Sequence, residues 1–181
     1  MTRRPGRFAI AAFAALAFAG CATMNVSSHI ERGVDFGQFR TWDWGPADEL
    51  PTGDPRLDNN PFFKDILAGA VEKQMALHHY ERAASGTADL LVHYHANMSK
   101  TFEVNGVDMR EGYCYDNCQP TVSEYEQGTI VLDIVDARTN RVVWRGWVQD
   151  NMDGVIDDQS RLKAEVTKGI TKVMKELPPY L

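Results

Sequence analysis

One strongly apolar segment, residues 128–148, restricts the fold of this chain more than any other feature of the sequence. Both of its halves are rich in β-branched residues and alternate in character, which is typical of strands that bury one face. The predicted core faces carry Ile130, Leu132 and Ile134 in the first half and Val142, Trp144, Gly146 and Val148 in the second. Between the halves lie Arg138, Thr139 and Asn140, which are compatible with a tight turn. The segment is therefore predicted to form a β-hairpin.

The register of this hairpin follows from the side-chain pattern, because a slip of one residue would exchange the two faces of a strand. With a three-residue loop, the predicted pairs are Ile130 with Val148, Asp133 with Arg145, Ile134 with Trp144 and Val135 with Val143. A charged cross-strand pair contributes only about 0.2–1 kcal/mol. We therefore interpret Asp133 and Arg145 as a structural pair rather than as a catalytic one.

The remaining segments predict two helices and further strands. Asn60 followed by Pro61 is typical of a helix start, and apolar residues then recur every three to four positions. A C-terminal helix is predicted from about Ser160. Further short strands are predicted at residues 26–30, 41–44 and 89–98. This order predicts an α+β fold, a two-layer sandwich in which a mainly antiparallel sheet carries two helices on one face.

Several short motifs are shared with a known family. They are Tyr125-Glu126-Gln127-Gly128-Thr129, Asp136 with Thr139, Val143-Trp144-Arg145-Gly146, Asp35-Phe36 with Phe39, Thr41-Trp42 with Trp44, and Ala88-Asp89-Leu90-Leu91-Val92 with Tyr94-His95. In these motifs, over roughly residues 26–177, the chain resembles domain-of-unknown-function family 4136, a group of bacterial envelope lipoproteins. The resemblance implies a fold and a compartment, but no established activity. Relatives tend to have glycine where His79 stands, which would suit a left-handed helix end.

The N-terminus has the pattern of a lipoprotein export signal. Three arginines precede a short apolar run, and Phe18-Ala19-Gly20-Cys21 resembles a bacterial lipobox. We expect cleavage before Cys21 and acylation of that cysteine, with ordinary secretion as the alternative. Because Ala22 rather than aspartate follows Cys21, the expected location is the outer membrane, on its periplasmic side. The predicted organisation is a signal peptide (residues 1–20), a short lipid-anchored tether (21–24) and one α+β domain (25–181).

The charge of the chain restricts its partners. The net charge is −6, and loss of the three signal-peptide arginines leaves −9 on residues 21–181. This balance argues against nucleic acid and against charge-driven binding to anionic lipid. The expected partners are the membrane, through the lipid anchor, and another envelope protein or peptidoglycan.

Two cysteines remain once Cys21 is assigned to the anchor. Cys114 and Cys118 are an even number in an oxidising compartment, which favours a disulfide. A redox site and a metal site are the alternatives. Redox pairs more often have two intervening residues, whereas three separate these cysteines.

A candidate binding surface is predicted on the sheet and on an arm next to it. His93 and His95 are two residues apart on a predicted strand, so they share its outward face. No acidic or cysteine ligand stands at a fixed short spacing from them, so no metal site is predicted. Asn105-Gly106 favours a tight turn within an arm that projects from the sheet. In that arm, Tyr113 and Tyr115 are typical anchors of protein interfaces.

Two further patterns have a plain interpretation and a functional alternative. Trp42 and Trp44 share one face of a short strand, either as core residues or as a platform for carbohydrate. The acidic loops at residues 45–60 and 150–158 are interpreted as solvated, because they lack the alternating oxygen ligands of a calcium loop.

No motif for nucleophilic, metal-dependent or phosphate chemistry is present in the sequence. We therefore expect a non-enzymatic envelope lipoprotein without a cofactor, acting as a protein- or cell-wall-binding module. The alternative is a carrier of a small ligand or a metal that uses the face of His93 and His95.

Overall fold

The structure is a computed structural model that describes residues 24–46, 51–58, 60–84, 87–105 and 121–180. The strands are β1 (Asn25–Ile30), β2 (Thr41–Trp44), β3 (Glu81–Arg82), β4 (Leu90–Asn105), β5 (Thr121–Asp136) and β6 (Arg141–Asn151). The helices are α1 (Pro55–Asp58), α2 (Pro61–Leu77) and α3 (Gln159–Met174), and a short 3-10 helix spans Phe36–Gln38. None of the helices in these described ranges is long and apolar enough to cross a membrane.

The six strands form one open sheet in the order β1-β6-β5-β4-β2-β3. The four strands β1, β6, β5 and β4 are antiparallel to one another, whereas β2 runs parallel to both β3 and β4. The sheet is therefore mixed, which corrects the expectation of a mainly antiparallel sheet. The physical reason is α2, which lies between β2 and β3 in the chain and provides the long crossover that parallel neighbours require.

The predicted hairpin consists of β5 and β6, and its predicted register is correct as far as Ile134 and Trp144. Beyond that pair the register shifts, so that Val135 lies opposite Val142 and not opposite Val143 as predicted. Val143 is thus the additional residue of a β-bulge. The bulge exchanges the two valines between faces: Val143 is 4% exposed and Val142 is 38% exposed.

The carboxylate of Asp136 explains this shift, because it organises a turn that differs from the predicted one. Its Oδ1 accepts the N–H groups of Arg138 at 2.9 Å and Thr139 at 3.4 Å. The N–H of Asn140, which is left-handed with φ = 54°, donates to the carbonyl of Asp136 at 2.8 Å. The strands therefore close at the pair Asp136–Arg141, and the loop has four residues rather than three.

One buried cluster joins alternate strand residues to the apolar stripes of α2 and α3. Its strand members include Leu90, Val92, Leu132, Ile134, Trp144 and Val148, and its helix members include Leu67, Val71, Met75, Leu162, Val166, Ile170 and Val173. Both predicted helical stripes are confirmed. Met24, which was assigned to the tether, also belongs to this core with 9% exposure.

Side-chain caps define the starts of both long helices. The Oδ1 atom of Asn60 accepts the N–H of Phe63 at 3.2 Å, as the sequence predicts for α2. In α3, Asp158 Oδ1 accepts the N–H of Ser160 at 2.8 Å. Such caps satisfy N–H groups that the helix itself leaves without partners.

The C-terminal end of α2 has the backbone geometry that usually selects glycine. The N–H of Tyr80 donates to the carbonyl of Met75 at 3.0 Å, and the N–H of His79 donates to that of Ala76 at 3.1 Å. These two bonds form a Schellman motif, and His79 occupies its left-handed position with φ = 68°. The helix therefore ends where the resemblance implies, although histidine stands in place of glycine.

Asp89 joins the start of β2 to the start of β4. Its Oδ2 accepts the N–H groups of Thr41 and Arg40 and the hydroxyl of Thr41, each at 2.9 Å. Hydrogen bonds from the backbone N–H groups of Thr41 and Arg40 hold the pKa of this carboxyl below its ordinary value. A charged cap therefore fixes the junction of the parallel strands.

We predict that His79→Gly stabilises the protein by about 1 kcal/mol, because glycine adopts the left-handed conformation without the cost that a side chain incurs. Urea denaturation monitored by circular dichroism measures the change. The matched control is His78→Gly, since His78 has an ordinary φ of −87° and gains nothing from glycine. Equal effects of the two substitutions would contradict the assignment.

We predict that Asp89→Asn destabilises the protein by about 1–2 kcal/mol at pH 7, because it removes a charged acceptor of three hydrogen bonds. Since the folded pKa of Asp89 is depressed, its contribution is complete above the unfolded pKa and is lost as the pH falls through the folded pKa. The gap in melting temperature between wild type and Asp89→Asn should therefore close on acidification below about pH 4. Asp65→Asn, on the exposed side of α2, serves as the control. A gap that is independent of pH would refute this role of Asp89.

Candidate binding surface

The sheet has a face that points away from the buried cluster. Strand register aligns His29, Arg145, Asp133 and His93 in one row across β1, β6, β5 and β4. The next row contains Ser27, Trp147, Val131 and His95. His93 and His95 are therefore adjacent on this face, as predicted, and both are half-buried. We call these two rows the outer face.

Asp133 and Arg145 form the predicted cross-strand pair. Arg145 Nε donates to Asp133 Oδ1 at 2.5 Å, and Arg145 Nη2 donates to Asp133 Oδ2 at 2.6 Å. Asp133 is 5% exposed, while half of the Arg145 side chain remains accessible to solvent. The hydrogen bond with Asp133 raises the pKa of Arg145 against the opposing effect of burial. Both oxygens of a buried carboxylate are thus occupied by a guanidinium, which is a structural arrangement.

Close packing positions His93 at the boundary between β4 and β2. A Cβ atom on Gly45 would lie 2.2 Å from Cε1 and Nε2 of the His93 ring, so the imidazole rests against bare backbone. The N–H of Gly45 donates to the carbonyl of Val92 at 2.9 Å, which continues the β2–β4 pairing. Within the described residues, no group of three or more His, Cys, Asp or Glu side chains is arranged to hold a metal ion.

Four of the residues assigned from the sequence lie outside the described ranges. They are Cys114 and Cys118, the predicted disulfide, and Tyr113 and Tyr115, the predicted interface anchors. Cys21, the predicted lipidation site, also lies outside them.

The carbohydrate platform predicted as an alternative for Trp42 and Trp44 is wrong. Trp42 is 2% exposed and belongs to the core. Its ring packs edge-to-face against Trp44 with a centroid distance of 5.7 Å, and Trp44 packs in the same way against Tyr94 at 6.3 Å. The three rings therefore form a packed aromatic series instead of a flat accessible platform.

The predicted arm begins as a continuation of β4 and β5. Residues 99–105 pair with residues 121–127, beyond the end of β6, and we call this two-stranded segment the ribbon. The sequence predicts that residues 101–105 turn back at Asn105-Gly106, whereas their partner in the structure is 121–125. Gly106 itself lies outside the described residues.

Two large apolar side chains of the ribbon are exposed. Phe102 is 61% exposed and Val122 is 60% exposed. Phe102 lies opposite Glu124, and Val122 is two residues from Glu124. The two apolar side chains are therefore diagonal neighbours on one face, a separation of about 7–8 Å. Apolar side chains gathered on a projecting element are typical of an interaction site.

The two acidic loops meet around a residue that sequence reasoning missed. Arg56 of α1 pairs through Nη2 with Asp54 at 2.6 Å and Glu126 at 2.8 Å, and through Nη1 with Asp157 at 3.1 Å. Hydrogen bonding to Asp54 raises the pKa of Arg56 further above its usual value. Arg56 therefore neutralises carboxylates from three segments at the base of the ribbon. Only the presence of arginine within an acidic loop signals this role in the sequence.

A family model described as "Domain of unknown function (DUF4136)" matches residues 26–179. The chain belongs to the DUF4136 family. None of the curated proteins compared with it is significantly similar in sequence.

Solved structures agree with this assignment at the level of the fold. A DUF4136 family protein from Bacteroides thetaiotaomicron has a TM-score of 0.50 and 16% identity, with 82% of this chain and 95% of that one covered. A PDZ domain protein from Parabacteroides distasonis has a TM-score of 0.54 and 16% identity; the match covers 85% of this chain but only 36% of that one. A PelC dodecamer from Paraburkholderia phytofirmans has a TM-score of 0.47 and 14% identity, with 88% and 100% covered.

The motifs that resemble DUF4136 have structural roles in this chain. Asp35 Oδ1 accepts the N–H of Gly37 at 3.0 Å and caps the 3-10 helix. Asp89 fixes the start of β4, and Asp136 organises the turn after β5. Trp144 is completely buried. The motif residues thus account for the fold, and the exposed surfaces lie elsewhere.

We predict that Arg145→Met destabilises the protein by about 1–2 kcal/mol, because Asp133 would remain buried without its partner; the value is discounted because Arg145 is half exposed. The double variant Asp133→Val/Arg145→Met should recover most of this loss, since it removes both polar groups. Urea denaturation measures each change. The control is Arg141→Met, whose partner Glu31 is accessible to solvent, and it should change stability by less than about 0.5 kcal/mol. Additive effects at Asp133 and Arg145 would disprove the coupling.

Proposed function

We propose that this chain is a periplasm-facing lipoprotein of the outer membrane, anchored through Cys21, that binds another envelope protein and catalyses no reaction. The observation that supports binding most directly is the exposed pair Phe102 and Val122 on the ribbon. Exposing two large apolar side chains is unfavourable in water, and covering them at an interface recovers that free energy. An apolar pair favours a protein surface over the polar glycan strands of the cell wall.

We infer a two-layer arrangement in which α2 and α3 cover the core face of the sheet. The outer face would then be open and would extend the binding surface beyond the ribbon. It offers Trp147 and the accessible part of Arg145, and both residue types are favoured at interfaces. His93 and His95 would lie on the same surface as neutral or charged hydrogen-bonding groups.

The burial of Met24 adds a restriction on where this binding would occur. Since Met24 is part of the core, only residues 22–23 would separate it from an acylated Cys21. At about 3.5 Å per residue, such a tether reaches roughly 10 Å. The domain would therefore lie against its membrane, and its partner would be a protein at or in that membrane.

The first test is photo-crosslinking in living cells with p-benzoylphenylalanine at position 102. We expect one discrete protein adduct in the membrane fraction, because the probe preserves the aromatic character of Phe102. The adduct should disappear when Cys21→Ser is added, since the protein would no longer be held at the membrane. The matched control is the same probe at Ser123, an exposed position on the opposite face of the ribbon, which should give at least fivefold less adduct.

The outcomes separate the parts of the proposal. Equal adducts from positions 102 and 123 would show that the apolar pair does not select a partner. An adduct that survives Cys21→Ser would contradict the anchor but not the binding role. Adducts to peptidoglycan or lipid, without protein, would contradict the proposed class of partner.

A further inference from the structure

The last strand on one side of the sheet, β1, has an open edge. Among the described residues it pairs only with β6. The N–H of Glu31 donates to the carbonyl of Val143 at 3.0 Å, so by alternation the odd-numbered residues of β1 bond to β6. The N–H and C=O groups of Val26, Ser28 and Ile30 therefore point away from the sheet. β1 contains no proline or lysine, residues that commonly protect an edge from strand addition.

A groove of about 600 Å³ runs between β1 and the C-terminal part of α3. Its lining includes Val26 and Ser28 from the strand and Lys172, Lys175 and Glu176 from the end of the helix. Lys172 and Lys175 form no ion pair with any side chain in the described ranges, and both are exposed. An open strand edge thus faces two cations without counter-charges, in a chain whose net charge is −6.

We propose that this groove binds an extended, acidic segment of a partner protein, which adds to the sheet as a seventh strand beside β1. Backbone bonds to Val26, Ser28 and Ile30 would provide the affinity, as in other cases of strand addition. Carboxylates at alternate positions of the segment would meet Lys172 and Lys175. Alternate strand residues are about 7 Å apart and helix residues three apart rise about 4.5 Å, a difference that lysine stems accommodate.

Two observations disfavour the other candidate occupants. A second copy of β1 contains no acidic residue between Asn25 and Ile30, and it would bring an identical pair of lysines towards the same groove. A membrane surface is disfavoured by the direction of α3. Gly169 lies near Met24, whereas Val173 lies near Gly146, which is opposite Ser28. The helix therefore carries Lys172 and Lys175 away from Met24 and from the proposed anchor.

The test measures binding of a fluorescein-labelled seven-residue peptide, Ser-Val-Glu-Val-Glu-Val-Ser, to the full chain in detergent. We expect saturable binding that weakens at least tenfold with Ser28→Pro, because proline removes an outward-pointing N–H. Ser28→Ala is the matched control, since it also removes the hydroxyl but keeps the N–H, and it should bind as wild type does. The glutamine version of the peptide should bind at least tenfold more weakly than the glutamate version.

The lysines are tested in the same assay. Lys172→Gln/Lys175→Gln should weaken binding at least tenfold and reduce its dependence on salt, whereas Lys163→Gln, at the other end of α3 and outside the groove lining, should not. If Ser28→Pro does not fold, hydrogen exchange of the wild type replaces it. The peptide should protect the amides of Val26, Ser28 and Ile30 more than those of Ser27 and His29, which already bond within the sheet.

Several results would overturn the proposal. Peptide binding that Ser28→Pro leaves unchanged would identify a charged patch without strand addition. Concentration-dependent dimerisation in sedimentation velocity that is lost with Ser28→Pro would assign the edge to a second copy. Binding to vesicles of phosphatidylcholine and phosphatidylglycerol that requires Lys172 and Lys175, together with no binding of the peptide, would assign the lysines to lipid headgroups. The proposal does not depend on Phe102, so failure of either experiment leaves the other interpretable.

Discussion

The packing of Trp144 over Gly146 is the constraint on which the rest of the core depends. A Cβ atom at position 146 would lie 2.2 Å from Cη2 of Trp144 and 2.6 Å from Cγ2 of Val173. Only glycine therefore lets the indole lie flat on β6 while α3 approaches the same place. The indole Nε1 has no hydrogen-bond partner among the described residues, which costs about 1–3 kcal/mol. Burying some 200 Å² of ring contributes roughly 5 kcal/mol, so the ring volume outweighs the unpaired N–H.

Local patterns made much of this fold predictable. The alternation of apolar residues gave the β5–β6 register as far as Ile134, and Asn60-Pro61 located the start of α2. The bulge at Val143 was not predictable from alternation, because it arises where the Asp136 carboxylate forces a four-residue turn and an additional residue must be absorbed. The mixed sheet was likewise missed, since strand direction depends on the α2 crossover and not on the sequence of β2.

The candidate surfaces were less predictable than the fold, and the reason is distance along the chain. Asp133 and Arg145 are 12 residues apart in one hairpin, so their pairing followed from the register. Arg56 and Asp157 are 101 residues apart, and no local pattern connects them. The edge position of β1 depends on the order of all six strands. Many acidic side chains also have defined tasks: Asp89 and Asp136 accept backbone N–H groups, and Asp54 pairs with Arg56. Their abundance in the sequence therefore did not indicate reactive chemistry.

The sheet register also relates the proposed anchor to the ribbon. Asn25 at the start of β1 is level with Gln149, Thr129 and Asn97 across the sheet. The ribbon begins just beyond that level, at Ser99 and Gln127. A chain anchored three residues before Met24 would therefore direct the ribbon towards its own membrane. Phe102 and Val122 would then be presented close to the bilayer surface. A partner that covers them would have to be accessible at that depth, which favours an integral or similarly anchored envelope protein over one that diffuses freely in the periplasm.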